Sequence, residues 1–181
     1  MKSMFGTGTA VATLAGIVAC MPARAEQDAA AGSYASWSVD LVVVAATAVS
    51  VGICVLLHYE VLSLLSRTMA RMQGRLRRRV LFGIFGVLSV HIADIWIFGI
   101  AYTLLLLASP AFGSVHGIFA PSLLDHVYFS AMTFTTVGFG DVYPRGPVRF
   151  MAGTEALTGL VLITWSASFT YLEMSRFWRE R

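Results

Sequence analysis

Three long apolar runs, at residues 41–65, 80–108 and 148–172, limit what this chain can fold into. At ~1.5 Å of rise per residue, each is long enough to cross a hydrocarbon layer of ~30 Å as a tilted helix. The whole chain is 57% hydrophobic and 13% charged, which excludes an ordinary soluble domain and points to a membrane class. Its 181 residues support one compact bundle. The expected fold is therefore an all-α membrane protein with three spanning helices.

Charge placement predicts the orientation. Six arginines (Arg67, Arg71, Arg75, Arg77, Arg78 and Arg79) crowd the connection between the first two runs, and Arg176, Arg179 and Arg181 follow the third. Basic connections are retained in the cytoplasm, so residues 67–79 are expected inside and residues 109–147 outside. The arginines at 67, 71, 75 and 78 have sensor-like spacing. They lie in a polar stretch interrupted by Gly74 rather than inside an apolar helix, and only one helix precedes them, so anchoring is the reading and voltage sensing is not. Anionic lipid is a further expected partner for Arg67, Arg71, Arg75, Arg77, Arg78 and Arg79.

Residues 1–25 read as a secretory signal: Lys2, a short apolar core, and Ala23-Arg24-Ala25 before Glu26. The alternatives are an uncleaved anchor helix or lipid attachment at Cys20. Residues 26–79 are expected to form an N-terminal segment with the first spanning helix and the arginine connection, residues 80–174 a second domain with the other two apolar runs, and residues 175–181 a short cytoplasmic tail. The two cysteines, Cys20 and Cys54, show no metal-ligand spacing and are not expected to pair.

Residues 109–147 are too few for two further spans, yet "PSLLDHVYFSAMTFTT" reads as a short helix. Pro121 suits its first turn, and Asp125 suits the positive end of its dipole. At about 14 residues it is too short to cross and apolar enough to dip in and return. The glycine-rich "TTVGFGD" follows directly. Irregular backbone at membrane depth survives only where protein buries it or where it lines water.

Helix, half-helix, "TTVGFGDVYP" and helix together resemble the pore module of the potassium channel pore-domain superfamily, over residues 80–173, about half the chain. The run "GLVLITWSASFTYLEM" also resembles small bacterial members. The first spanning helix is extra to that two-helix module. The resemblance implies a selectivity filter in which backbone carbonyls of Thr136, Val137, Gly138 and Phe139, with the Thr136 hydroxyl, replace the water shell of K⁺. Gly138 and Gly140 would supply left-handed backbone angles. The side chains of Val137 and Phe139 are expected to pack behind the filter. One motif per chain implies a homotetramer. Thr135, Asp141, Tyr128, Phe129, Met132 and Glu155 are expected to support the filter, and Gly159 is a candidate gating hinge or a helix-contact glycine. Phe139 stands where many members carry Tyr. Tyr128 and Phe129 stand in place of paired tryptophans, and Met132 in place of a glutamate that holds the motif's Asp.

Other polar groups interrupt the apolar runs. His91 and Asp94, at i and i+3, are expected to pair on one helix face, either as a pH-sensitive couple or as a mutually bonded structural pair. His58 and Glu60 are expected near the inner interface, in an ion pair with Arg67. Asp125 and Asp141, near the outer mouth, would raise the local cation concentration.

The expected function is passive, potassium-selective conduction across the inner or plasma membrane. The alternatives are a non-selective cation channel on the same scaffold, or a non-conducting membrane sensor or assembly subunit. No phosphate loop, activated nucleophile or metal cluster is legible, so no enzyme is expected. No cofactor beyond the permeant K⁺ and no nucleic-acid partner is expected.

Overall fold

The computed structural model describes residues 37–72, 76–117 and 122–179. The signal reading, Cys20, Gly74, Arg75, Pro121 and Arg181 lie outside the described residues. Four helices are described: α1 (Trp37–Arg71), α2 (Leu76–Ala108), α3 (Leu123–Phe134) and α4 (Val148–Arg179). Helices α1, α2 and α4 are each long and apolar enough to span a membrane. The chain is an all-α multi-pass membrane protein, as its apolar runs predict.

Helix α1 is apolar on all sides, so its buried face is marked by small and polar residues instead. Val43, Thr47, Ser50, Cys54, His58, Leu62, Leu65 and Met69 recur every three or four positions and are buried. This stripe packs α1 against α2 and α4. Thr47 and Ser50 donate to the carbonyls of Val43 and Ala46 in the preceding turn, so no hydroxyl proton is left unpaired in the apolar interior. Towards the arginine end, Ser66 Oγ donates to Glu173 on α4 at 2.9 Å, and Arg176 lies 3.4 Å from the same carboxylate oxygen.

The half-helix α3 has 12 residues, close to the expected length, and packs against α2 and α4. Its start is fixed by a capping box. Asp125 N donates to Ser122 Oγ at 3.3 Å, and Ser122 N donates to Asp125 Oδ2 at 2.8 Å. The inward face of α3 carries His126, Phe129, Ser130 and Phe134, all buried. Phe129 meets Tyr102 of α2 edge to face, with ring centroids 5.0 Å apart. The core continues through Phe98, Leu105, Val148, Met151 and Leu162.

A two-stranded antiparallel hairpin was not legible in the sequence. Strand β1 (Ser114–His116) pairs with β2 (Tyr143–Arg145), with Ser114 opposite Arg145 and His116 opposite Tyr143. His116 stacks on Tyr143, and the Arg145 guanidinium stands 5.6 Å from the same ring. β1 precedes α3 and β2 follows the filter stretch. The hairpin therefore pins together the two ends of the re-entrant segment, so α3 and the residues after it form a closed excursion.

Candidate ion-conduction site

Helix α3 ends at Phe134, and Thr135 caps it with right-handed backbone. The chain then changes hand. Thr136, Gly138 and Gly140 have φ of 58°, 51° and 81°. Left-handed angles thus fall on alternate residues. Such alternation turns successive carbonyls towards one side, which a row of ion ligands requires. The two glycines adopt these angles without a Cβ penalty. Thr136 is β-branched, and positive φ in such a residue stores strain of order 1–3 kcal/mol. The surrounding contacts hold it there. Thr136 N donates to Thr133 O at 3.0 Å, and Gly138 N reaches back to Met132 O at 3.2 Å. Met132 thus supports the stretch through its carbonyl, not through its side chain.

The expected support residues divide by position. Tyr128 Oη donates to Asp141 Oδ2 at 2.8 Å, across the filter stretch. That bond holds the motif's Asp through Tyr128. Thr135 Oγ1 donates back to Ala131 O at 2.6 Å, which seals the helix end. Glu155, on α4, is fully buried. It accepts from Tyr102 Oη at 2.6 Å and from Ser130 Oγ, and so links α4 to α2 and α3. In the single chain Val137 and Phe139 are 53% and 71% exposed, so their own subunit covers them only in part.

Gly159 lies within the unbroken helix α4. A Cβ at this position would come within 2.0 Å of Phe134 O and 2.8 Å of Phe134 C. In this conformation Gly159 is a contact glycine that lets α4 approach the end of α3.

The polar groups deeper in the bundle pair differently from the sequence expectation. Asp94 bonds His58, not His91: His58 Nδ1 lies 3.0 Å from Asp94 Oδ2. His58 is fully buried rather than interfacial, and Glu60 is exposed, so neither belongs to an ion pair with Arg67. The register of α1 on α2 brings His58 level with Asp94, a long-range relationship that i, i+3 spacing cannot reveal. His126 is a further buried histidine that sequence reasoning missed. Its Nδ1 lies 3.0 Å from Thr103 Oγ1, which joins α3 to α2. At the start of α3, the backbone N–H and hydroxyl of Ser122 hold the Asp125 carboxyl below the usual carboxylate range.

Three spanning helices, a capped half-helix that does not cross, and a left-handed alternating strip after it define a membrane pore module. Residues 90–174 match the model of the ion channel family. The chain is also similar to Protein LctB of Bacillus caldotenax, 40% identical over 58 residues that cover 26% of this chain and 43% of the relative. Protein LctB of Geobacillus stearothermophilus shows the same identity and coverage. The chain thus spans less than half the length of these curated relatives. No solved structure matches the chain.

Proposed function

We propose that this protein conducts K⁺ passively and selectively through a pore formed by four copies of the chain. The alternation of left-handed backbone at Thr136, Gly138 and Gly140, directly after α3, carries the reading. Potassium must exchange its hydration shell for ligands at little cost, and a row of carbonyls from Thr136, Val137, Gly138 and Phe139 provides them. The C-terminal end of α3, at Phe134, adds the negative end of a helix dipole. One strip per chain supplies one quarter of a ring. The partly exposed side chains of Val137 and Phe139 support assembly, because neighbouring copies would cover apolar surface that the single chain leaves open. Passage is proposed across the inner or plasma membrane, with Arg67, Arg71, Arg77, Arg78 and Arg79 on the cytoplasmic side against anionic lipid.

Purified protein reconstituted in vesicles tests this with K⁺ and Na⁺ on opposite sides. Potassium currents well above sodium currents are expected, with Gly138→Asp abolishing them. Equal permeation of both ions identifies a non-selective cation channel. Tetramers without current identify a non-conducting subunit.

A further inference from the structure

Three metal-ligating side chains meet where α1 packs on the pore domain. His58 comes from α1, and His91 and Asp94 from α2. One donor atom from each lies within 4.8 Å of the other two. The rings of His58 and His91 are 5.0 Å apart, centroid to centroid. His58 and Asp94 are fully buried and His91 is half-buried.

Polar groups within spanning helices need partners, and this cluster is incompletely paired. His58 uses both ring nitrogens, Nδ1 at 3.0 Å from Asp94 Oδ2 and Nε2 at 2.8 Å from Ser166 Oγ. Two buried atoms remain without a hydrogen-bond partner: His91 Nδ1 and Asp94 Oδ1. Both belong to the same cluster. An unsatisfied buried polar atom costs on the order of 1–3 kcal/mol, so two of them together point to a missing ligand.

The donor set identifies its class. Two imidazole nitrogens and a carboxylate oxygen suit a divalent first-row transition metal, zinc above all, rather than an alkali cation, which takes oxygen ligands. The Ser166 contact fits as well. A metal-bound histidine characteristically hydrogen-bonds its other ring nitrogen, which sets its tautomer and orientation. Here Ser166 Oγ already holds His58 Nε2, leaving Nδ1 directed at Asp94.

We propose that His58, His91 and Asp94 form a divalent transition-metal site that fastens α1 to the pore domain. Three protein donors leave one position for water in a tetrahedral zinc shell. The site also has a route to the filter. The His91 ring meets the Phe134 ring edge-on, with centroids 6.0 Å apart, and Phe134 is the last residue of α3. Occupancy would therefore stiffen the support directly beneath the filter stretch.

The full chain, purified in detergent without an added histidine tag, is stripped with chelator and dialysed against Zn²⁺ or Co²⁺. About one zinc per chain and the visible bands of tetrahedral cobalt are expected. His91→Gln spares the His58 contacts to Asp94 and Ser166, and it should weaken zinc binding by more than about tenfold. Asp94→Asn should do the same, while His116→Gln, on the hairpin, should change nothing. If Asp94→Asn fails to assemble, His91→Gln decides alone. Zinc held equally by His91→Gln, or no zinc above background in the unaltered protein, overturns the site.

Discussion

Tyr102 Oη stands 2.6 Å from Glu155 Oε2, and both side chains are fully buried. The pair joins the second spanning helix to the third just behind the half-helix. Ser130 Oγ extends the link, with both Ile95 O and Glu155 Oε1 within reach of its hydroxyl. A hydroxyl donates one proton, so Ser130 divides its own between Ile95 O and Glu155 Oε1, while Tyr102 donates its own to Glu155 Oε2. Tyr102→Phe removes one donor and should cost ~1–3 kcal/mol. Glu155→Leu strands the buried Tyr102 hydroxyl, leaves Ser130 with Ile95 O alone, and should cost more than Tyr102→Phe. Glu155→Gln keeps a planar group that can both donate and accept, and should lie closest to the unaltered protein. Thermal unfolding of the assembled protein in detergent measures all three. An order in which Gln is worse than Leu contradicts the network.

The contact between Gly159 and Phe134 sets two effects against each other. In an exposed helix interior, Gly→Ala is stabilising by ~1 kcal/mol. Here the added Cβ would lie 2.0 Å from Phe134 O, a backbone atom that cannot swing aside. Overpacking of this kind costs typically ~1–3 kcal/mol, and with backbone on one side the cost should win. Gly159→Ala is expected to lower the melting temperature and to shift the end of α3. Gly153→Ala, where nothing lies within 4 Å of the new Cβ, should not lower it. Comparing the two variants separates the contact from helix propensity.

The legible parts of this molecule are local ones. The spans follow from apolar length, the start of α3 from Asp125 near a helix N-terminus, and the left-handed backbone at Gly138 and Gly140 from glycines within seven consecutive residues. The hairpin was invisible because each strand has three residues and β2 contains Pro144, which ordinarily argues against a strand. The His58–Asp94 pair was missed for another reason. It joins residues 36 apart in sequence and depends on how α1 seats against α2. A signal did exist: Thr47, Ser50, Cys54 and His58 share the helical stripe that buries Val43 and Leu62. In a helix apolar all round, such a stripe marks the inward face.

Acid should loosen the entrance to the half-helix. Ser122 donates to Asp125 from both its backbone N–H and its hydroxyl, and this holds the carboxyl below its usual range. A depressed carboxyl contributes stability that is complete above its unfolded value, about 3.9. That contribution is lost as pH falls through the lower folded value. Asp125→Asn should therefore lower the melting temperature at about pH 6, and its difference from the unaltered protein should shrink towards about pH 3. Melting curves of both proteins across that range test the sign. A difference that grows on acidification would show that the cap is not the origin.

The buried pair of His58 and Asp94 should respond unequally to single and double replacement. Both side chains are fully buried, 3.0 Å apart, in a spanning region without bulk water. Removing one partner leaves the other buried polar group without this bond, a change worth ~1–3 kcal/mol or more. Replacing both with apolar groups removes the unmet demand together with the bond. His58→Leu alone is therefore expected to be strongly destabilising, with α1 losing its hold on α2. His58→Leu combined with Asp94→Leu should recover a large part of the loss. The double-mutant cycle, read from unfolding of all four proteins in detergent, gives the coupling directly. Strictly additive losses would mean that Asp94 depends on a partner other than His58.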